Sequence, residues 1–139
     1  MSWNIIKSTE EEIEFIDNTL GDYNKTQVQY IPQMDFLPLN FHIKDEAGRI
    51  IAGINALSCW QMLDISELYV DENYRGKGLG TLLINKIEDE ARGLGSIMSH
   101  TDTFDWQAKD FYLKCGYEIF GVLENCPIGH KRFFLKKCL

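Results

Sequence analysis

The segment Arg75-Gly76-Lys77-Gly78-Leu79-Gly80-Thr81 constrains this chain more than any other, because it stands between a strand pattern and a helix pattern. The period-two run Ile65-Ser66-Glu67-Leu68-Tyr69-Val70 leads into it. After it, Leu79, Leu83, Ile87 and Leu94 share one helical face while Lys86, Glu88, Asp89 and Arg92 lie elsewhere. Glycines at such a junction let the backbone take positive φ and bring its N–H groups close to an anion. A helix N-terminus adds partial positive charge, and Arg75 and Lys77 add full charges. Thr81 offers a hydroxyl as well. The segment therefore reads as a cradle for phosphate; the alternative reading of the same residues is a tight turn with incidental basic side chains.

Two familiar phosphate motifs fail on register. A dinucleotide fingerprint needs glycine three places after Gly78, where Thr81 stands, and the register from Gly78 and Gly80 puts Leu83 in that place. The nucleotide P-loop needs Ser or Thr after Gly-Lys, and Gly76-Lys77 is followed by Gly78.

The rest of the chain alternates helix and strand signals. Thr9-Glu10-Glu11-Glu12 forms a capping box ahead of Ile13, Ile16 and Leu20, and Gly21 is expected to stop that helix. Residues 22–38 predict a short helix or a loop. Leu39, Phe41 and Ile43 alternate with polar neighbours, and Asp45-Glu46-Ala47-Gly48-Arg49 supplies turn chemistry before a second strand at residues 50–57. A short strand is expected at 97–101. Asp105 is expected to cap a helix with the stripe Ala108, Phe111, Tyr112 and Cys115, ended by Gly116. Strands at 117–123 and 132–135 complete a single α/β domain spanning residues 1–139.

Composition narrows the partners. The 139 residues are 45% hydrophobic and 25% charged, ordinary globular usage that supports neither disorder nor a fibrous repeat. A net charge of −7 argues against nucleic acid, which needs clustered Lys and Arg. Residues 1–72 hold 4 basic and 13 acidic side chains and residues 73–139 hold 10 and 8, which reads either as different halves receiving cationic and anionic ligands or as ordinary solvated surface charge. No apolar run reaches the ~20 residues of a membrane span and the opening residues lack a signal-peptide pattern, so a cytoplasmic protein is expected. The four cysteines form no Cys-x-x-Cys pair and show no regular spacing with the histidines, so no metal site is expected. The C-terminal segment 131–139 is a candidate edge strand at which a homodimer would pair.

Glu67-Leu68-Tyr69-Val70, then Glu72-Asn73-Tyr74-Arg75 with the glycines, then Leu82-Leu83, closely resemble the GNAT superfamily of acetyl-CoA-dependent N-acetyltransferases. Ala108-Lys109-Asp110-Phe111-Tyr112-Leu113-Lys114-Cys115-Gly116-Tyr117 resembles that family's second hallmark, and the likeness covers roughly residues 39–139. It departs at Asp105, where many members carry asparagine.

The resemblance implies a central, mixed, mostly antiparallel sheet of about six or seven strands, flanked by helices and splayed at the CoA site. It implies acetyl-CoA as cosubstrate. The diphosphate would rest on Arg75, Gly76, Lys77, Gly78, Leu79, Gly80 and Thr81, the pantetheine arm on backbone at Leu68, Tyr69 and Val70, and Lys114 would add a cofactor contact. Acetyl transfer needs a neutral amine, stabilisation of an oxyanion and a proton for the departing thiolate. Tyr112 matches the family's proton donor; otherwise it is a core tyrosine. Glu67, placed by alternation on the face of Ile65 and Tyr69, is the candidate base; otherwise it is an exposed strand residue or a substrate anchor. His100, His130, Trp60 and Trp106 are candidates for the acceptor pocket. The implied function is N-acetylation of a small cationic amine by direct attack in a ternary complex. A silent acyl-CoA sensor and a protein-modifying acetyltransferase are the alternatives.

Overall fold

A computed structural model describes residues 2–28 and 36–139, and the chain falls into two compact units divided between residues 31 and 32. In the first, helix α1 (Glu10–Gln27) starts where the Glu12 carboxylate accepts the Thr9 backbone N–H at 2.7 Å and the Thr9 hydroxyl at 3.1 Å. These bonds, the backbone one foremost, hold the Glu12 carboxyl below its ordinary range. Gly21 does not stop this helix, which runs on to Gln27. An interior glycine costs only about 1 kcal/mol relative to alanine, and no proline follows within the helix to enforce a stop. The middle of the expected helix-or-loop stretch, residues 29–35, lies outside the described residues.

The second unit is built on six strands. β1 (Leu37–Lys44) and β2 (Ile50–Cys59) form the expected hairpin, closed where Asp45 accepts both the amide and the Nε of Arg49 at 2.9 Å. β3 (Met62–Val70) follows through Trp60 and Gln61, both at positive φ. Then come α2 (Leu79–Gly93), β4 (Met98–Phe104), α3 (Lys109–Lys114), β5 (Glu118–Glu124) and β6 (Lys131–Cys138). The sheet order is β1-β2-β3-β4-β6-β5, and only β3 and β4 run parallel. No helix among the described residues is long and apolar enough to cross a membrane.

The core lies between the sheet and α2. Ile54, Leu63, Ile65 and Leu135 meet Leu83, Ile84, Ile87 and Ala91, joined by Tyr112 and Tyr117. Glu88, expected off the apolar stripe, is only 2% exposed within this core. It follows Ile84 by four residues and precedes Ala91 by three, which is the spacing of the buried face. Its carboxylate accepts the Tyr117 hydroxyl at 2.9 Å and Lys137 Nζ at 2.8 Å.

The C-terminal strand is not an edge. β6 lies between β4 and β5, with Leu135 fully buried, and β5 takes the edge. Two of its lysines find partners on neighbouring elements: Lys137 serves Glu88, and Lys136 stands 4.0 Å from Glu118.

Candidate active site

The site begins where two strands part. The β3–β4 ladder runs from Met62↔Met98 to Ile65↔Thr101 and stops. Beyond that point β3 stays paired with β2 as far as Val70, and β4 with β6 as far as Phe104. The register of β3 against β2 skips Ser66, a bulge of the kind that raises local twist and re-aims side chains. A cavity of about 990 Å³ fills the fork. Its walls are residues 66–70 of β3, most of the turn from Tyr74 to Thr81, residues 101–103 of β4, and the segment from Asp105 to Tyr112.

The bulge corrects one expectation. Ile65 is buried, and strict alternation would put Glu67 and Tyr69 beside it. The extra residue reverses the phase: Leu68 and Val70 pack on the core, while Glu67 and Tyr69 are exposed on the opposite face. Glu67 still lines the cavity, and its carboxylate accepts Asn55 Nδ2 at 2.6 Å.

At the wide end of the fork, Gly76 and Gly78 take φ of 78° and 82°, values that side-chain-bearing residues rarely adopt. Gly78 caps α2 with backbone alone, its carbonyl accepting Leu82 N–H at 3.0 Å. The first amides of α2 therefore have no intrahelical partner, and Leu79, Gly80 and Thr81 all line the cavity. A Cβ on Gly80 would sit 3.0 Å from the Phe111 ring, so a side chain here would push that ring of α3 away by a few tenths of an ångström. Arg75 also lines the cavity, its Nε donating to the Val70 carbonyl at 3.2 Å. Lys77 and Lys114 are outside the cavity wall: Lys77 Nζ stands 5.2 Å from the Tyr74 ring centre, and Lys114 is exposed in the last turn of α3.

At the apex is Tyr112, 3% exposed, with the rings of Phe111 and Tyr117 each 5.5 Å away in edge-on contact. Burial among these rings pushes its phenol up to about 12. The hydroxyl of Tyr112 is thus a protonated acid throughout the neutral range.

Asp105 does not cap α3. That helix starts after Ala108, whose N–H donates to Thr103 Oγ1 at 3.2 Å. Asp105 instead bonds His130 Nδ1 and the Lys131 amide, each at 2.9 Å, and these bonds, His130 foremost, hold its carboxyl below the ordinary carboxylate range. The reason is competition: the turn at residues 105–108 faces the β5–β6 connection, which offers two better-placed donors. Of the four acceptor-pocket candidates, Trp106 lines the cavity and His130 meets its ring edge-on at 4.9 Å. His100 pairs with Asp64 at 3.6 Å and Trp60 lies in the β2–β3 turn, both away from the cavity wall. Sequence reasoning missed the buried hydroxyls of Ser99, Thr101 and Thr103. Their signal is a period-two repeat of small hydroxyl residues, invisible to a search for apolar alternation.

The sequence profile of the Acetyltransferase (GNAT) family matches residues 7–117. Blasticidin-S acetyltransferase of Streptomyces morookaense is 34% identical over 110 residues, covering 76% of this chain and 81% of that protein. The crystal structure of an acetyltransferase from Bacillus cereus ATCC 14579 superposes with a TM-score of 0.92 at 33% identity, covering 99% of this chain and 98% of that one. An aminoglycoside 6'-N-acetyltransferase complexed with coenzyme A shares the fold at a TM-score of 0.65, with 18% identity and 97% of each chain covered.

Proposed function

The chain belongs to the acetyltransferase (GNAT) family, and from that premise we propose that it moves the acetyl group of acetyl-CoA onto the amine of a small cationic molecule, by direct attack with both substrates held together. The observation that carries the reading is the fork itself. It joins an unpaired edge of β3, a helix start with unpartnered amides, and a buried neutral phenol where the strands meet.

Residues of the chain divide the work. Amides of Gly76, Gly78 and Gly80, with Leu79 and Thr81 beside them, receive the diphosphate, and Arg75 adds charge. Lys77 and Lys114 screen it from outside the cavity. The β3 backbone at Leu68, Tyr69 and Val70 holds the pantetheine arm as an added strand would be held. When bound, acetyl-CoA supplies an acyl carbon activated by its thioester. Glu67, directly or through water, takes a proton from the ammonium, freeing the nitrogen lone pair. Nitrogen bonds to the acyl carbon, the carbon–sulfur bond breaks, and Tyr112 gives its proton to the sulfur. The proton that nitrogen sheds on becoming an amide restores the phenol, so one proton per turnover reaches solvent.

The relative named for blasticidin-S supports a small acceptor, and so does the charge of the wall. Glu67, Asp102, Asp105 and Asp110 line the cavity against Arg75 and Lys109. Thiol release from acetyl-CoA, screened against small amines and against peptides, tests the reading. Turnover on small cationic amines is expected, and Tyr112→Phe should lower kcat by about 100-fold while acetyl-CoA still binds. Tight acetyl-CoA binding without turnover on any amine would make the chain a silent binder instead. Turnover confined to peptides would make it a protein acetyltransferase.

A further inference from the structure

Buried polar groups that the reaction does not use meet behind Tyr112. Tyr117, 3% exposed, gives the single hydrogen of its phenol to Glu88 Oε2 at 2.9 Å, which leaves its oxygen to accept the Ser99 hydroxyl at 2.7 Å. Its backbone N–H donates to the Tyr112 carbonyl at 3.0 Å, and its ring meets the Tyr112 ring edge-on at 5.5 Å. Tyr117 is therefore held at both ends, at the hydroxyl by α2 and β4 and at the backbone by Tyr112 itself. The other oxygen of Glu88 accepts Lys137 Nζ at 2.8 Å, with Arg92 farther off at 3.9 Å, and Lys137 also donates to the Cys115 carbonyl at 2.8 Å. The Cys115 N–H donates in turn to the Tyr112 carbonyl at 3.0 Å. Two routes thus run from one buried carboxylate to the end of α3, one through the Tyr117 phenol and one through Lys137.

We propose that Tyr117 is a positioning residue for acetyl transfer: with its hydroxyl fixed between Glu88 and Ser99, its ring is a wall that sets the direction of the Tyr112 ring and so of the phenolic proton. The inference rests on the reading of Tyr112 as the proton donor to the departing sulfur, and it adds no chemical step. A phenylalanine at 117 would fill the same space, and an apolar residue at 88 would spare the core a charge. What the polar groups add is direction, because a fully satisfied network fixes a ring where apolar packing alone lets it shift. Glu88 belongs to α2, whose first residues line the cavity, so the helix proposed to meet the diphosphate also carries the anchor for the donor's support.

A double-mutant cycle separates this role from simple packing. Tyr117→Phe keeps the ring and removes both hydroxyl bonds; Ser99→Ala removes one of the two. Each is made in the wild-type and in the Tyr112→Phe background, and kcat, acceptor KM and calorimetric affinity for acetyl-CoA are measured at a temperature where circular dichroism shows every variant folded. In the wild type, Tyr117→Phe should lower kcat about ten-fold with acetyl-CoA affinity retained, and Ser99→Ala should show a smaller loss of the same kind. In the Tyr112→Phe background, where no phenolic proton remains to be aimed, Tyr117→Phe should cost nothing more. The same fold loss in both backgrounds, an undiminished kcat in Tyr117→Phe, or a loss confined to KM or to acetyl-CoA affinity would each overturn the proposal. Full kcat in Tyr112→Phe alone would remove Tyr112 as the donor and this inference with it, whereas an impaired Tyr112→Phe with additive losses sinks only the inference. If Tyr117→Phe unfolds before assay, Ser99→Ala in the two backgrounds decides under the same outcomes.

Discussion

Tyr112 and Tyr117 are the two tyrosines among the buried hydrophobic residues, each 3% exposed, and burial is the main cause raising both phenols above their ordinary value. For a group that is neutral when protonated, a raised value in the fold means that the folded chain keeps its proton longer than the unfolded chain does. Stability is therefore whole below the unfolded value near 10 and declines as pH rises through the window from 10.0 to about 12 set by Tyr112. The full contribution of Tyr112 across that window is roughly 2–3 kcal/mol at most. Urea unfolding followed from pH 9 upward should show the wild type losing stability above about pH 10, and Tyr112→Phe losing less. Equal losses in the two proteins would mean that the phenol at 112 ionises as freely as one in water. The same property suits a proton donor, since a phenol that stays neutral has a proton to give at any pH where the amine can be deprotonated. Tyr112 was legible because motif and helical stripe agree on it. Ser99, whose hydroxyl lies 2.7 Å from the Tyr117 phenol, was not, since hydroxyls at alternate strand positions look the same whether they face water or a buried phenol.

The element that turns the sheet into a site is the strand–loop–helix unit from Ile65 to Gly93. The turn its glycines make was readable because three glycines at a strand-to-helix junction point to positive φ, which Gly76 and Gly78 adopt. At Gly78, φ of 82° would strain any side chain, although open space surrounds the position. Gly78→Ala should therefore cost about 1–2 kcal/mol through backbone strain alone. By turning the first amides of α2, it should also weaken calorimetric acetyl-CoA binding by about ten-fold or more. A variant with unchanged affinity would remove the loop from the coenzyme's path. The bulge at Ser66 was illegible by the same logic. Period-two reading carries phase forward from Ile65, and nothing local announces that one residue is skipped, so Glu67 was set on the wrong face. Gly21 and Asp105 mislead in a related way. Each has a strong local preference, as helix stop and helix cap, which the longer helix and the donors at His130 and Lys131 override. Strand order was beyond reach, because edge and interior differ in which strands pair across the sheet, and residues such as Lys136 and Lys137 take their meaning only from those partners.

For the molecule beyond any one element, charge acts both inside and outside. Inside, Glu88 of α2 is joined to Lys137 of β6, and Lys137 also donates to the Cys115 carbonyl at the end of α3 at 2.8 Å. Lys137→Met should destabilise the fold by about 3 kcal/mol in urea unfolding, because it removes the nearer cation and leaves the buried carboxylate only Arg92, 3.9 Å away and partly exposed. Adding Glu88→Met should recover part of that loss; no recovery would mean that the carboxylate is not the source of the cost. Outside, the net charge of −7 and the acidic side chains of the cavity wall set a field that the proposed cationic acceptor would meet before docking. The Debye length falls from about 30 Å at 0.01 M salt to about 8 Å at 0.15 M. The acceptor's apparent KM should then rise several-fold across that range. Acetyl-CoA, an anion proposed to rest at the start of α2 and at Arg75, provides the internal control: its KM is expected to fall or hold as screening weakens repulsion by the same net charge. Acceptor and coenzyme responding alike would mean that salt acts on the fold or on turnover, and that the acidic wall does not select the amine.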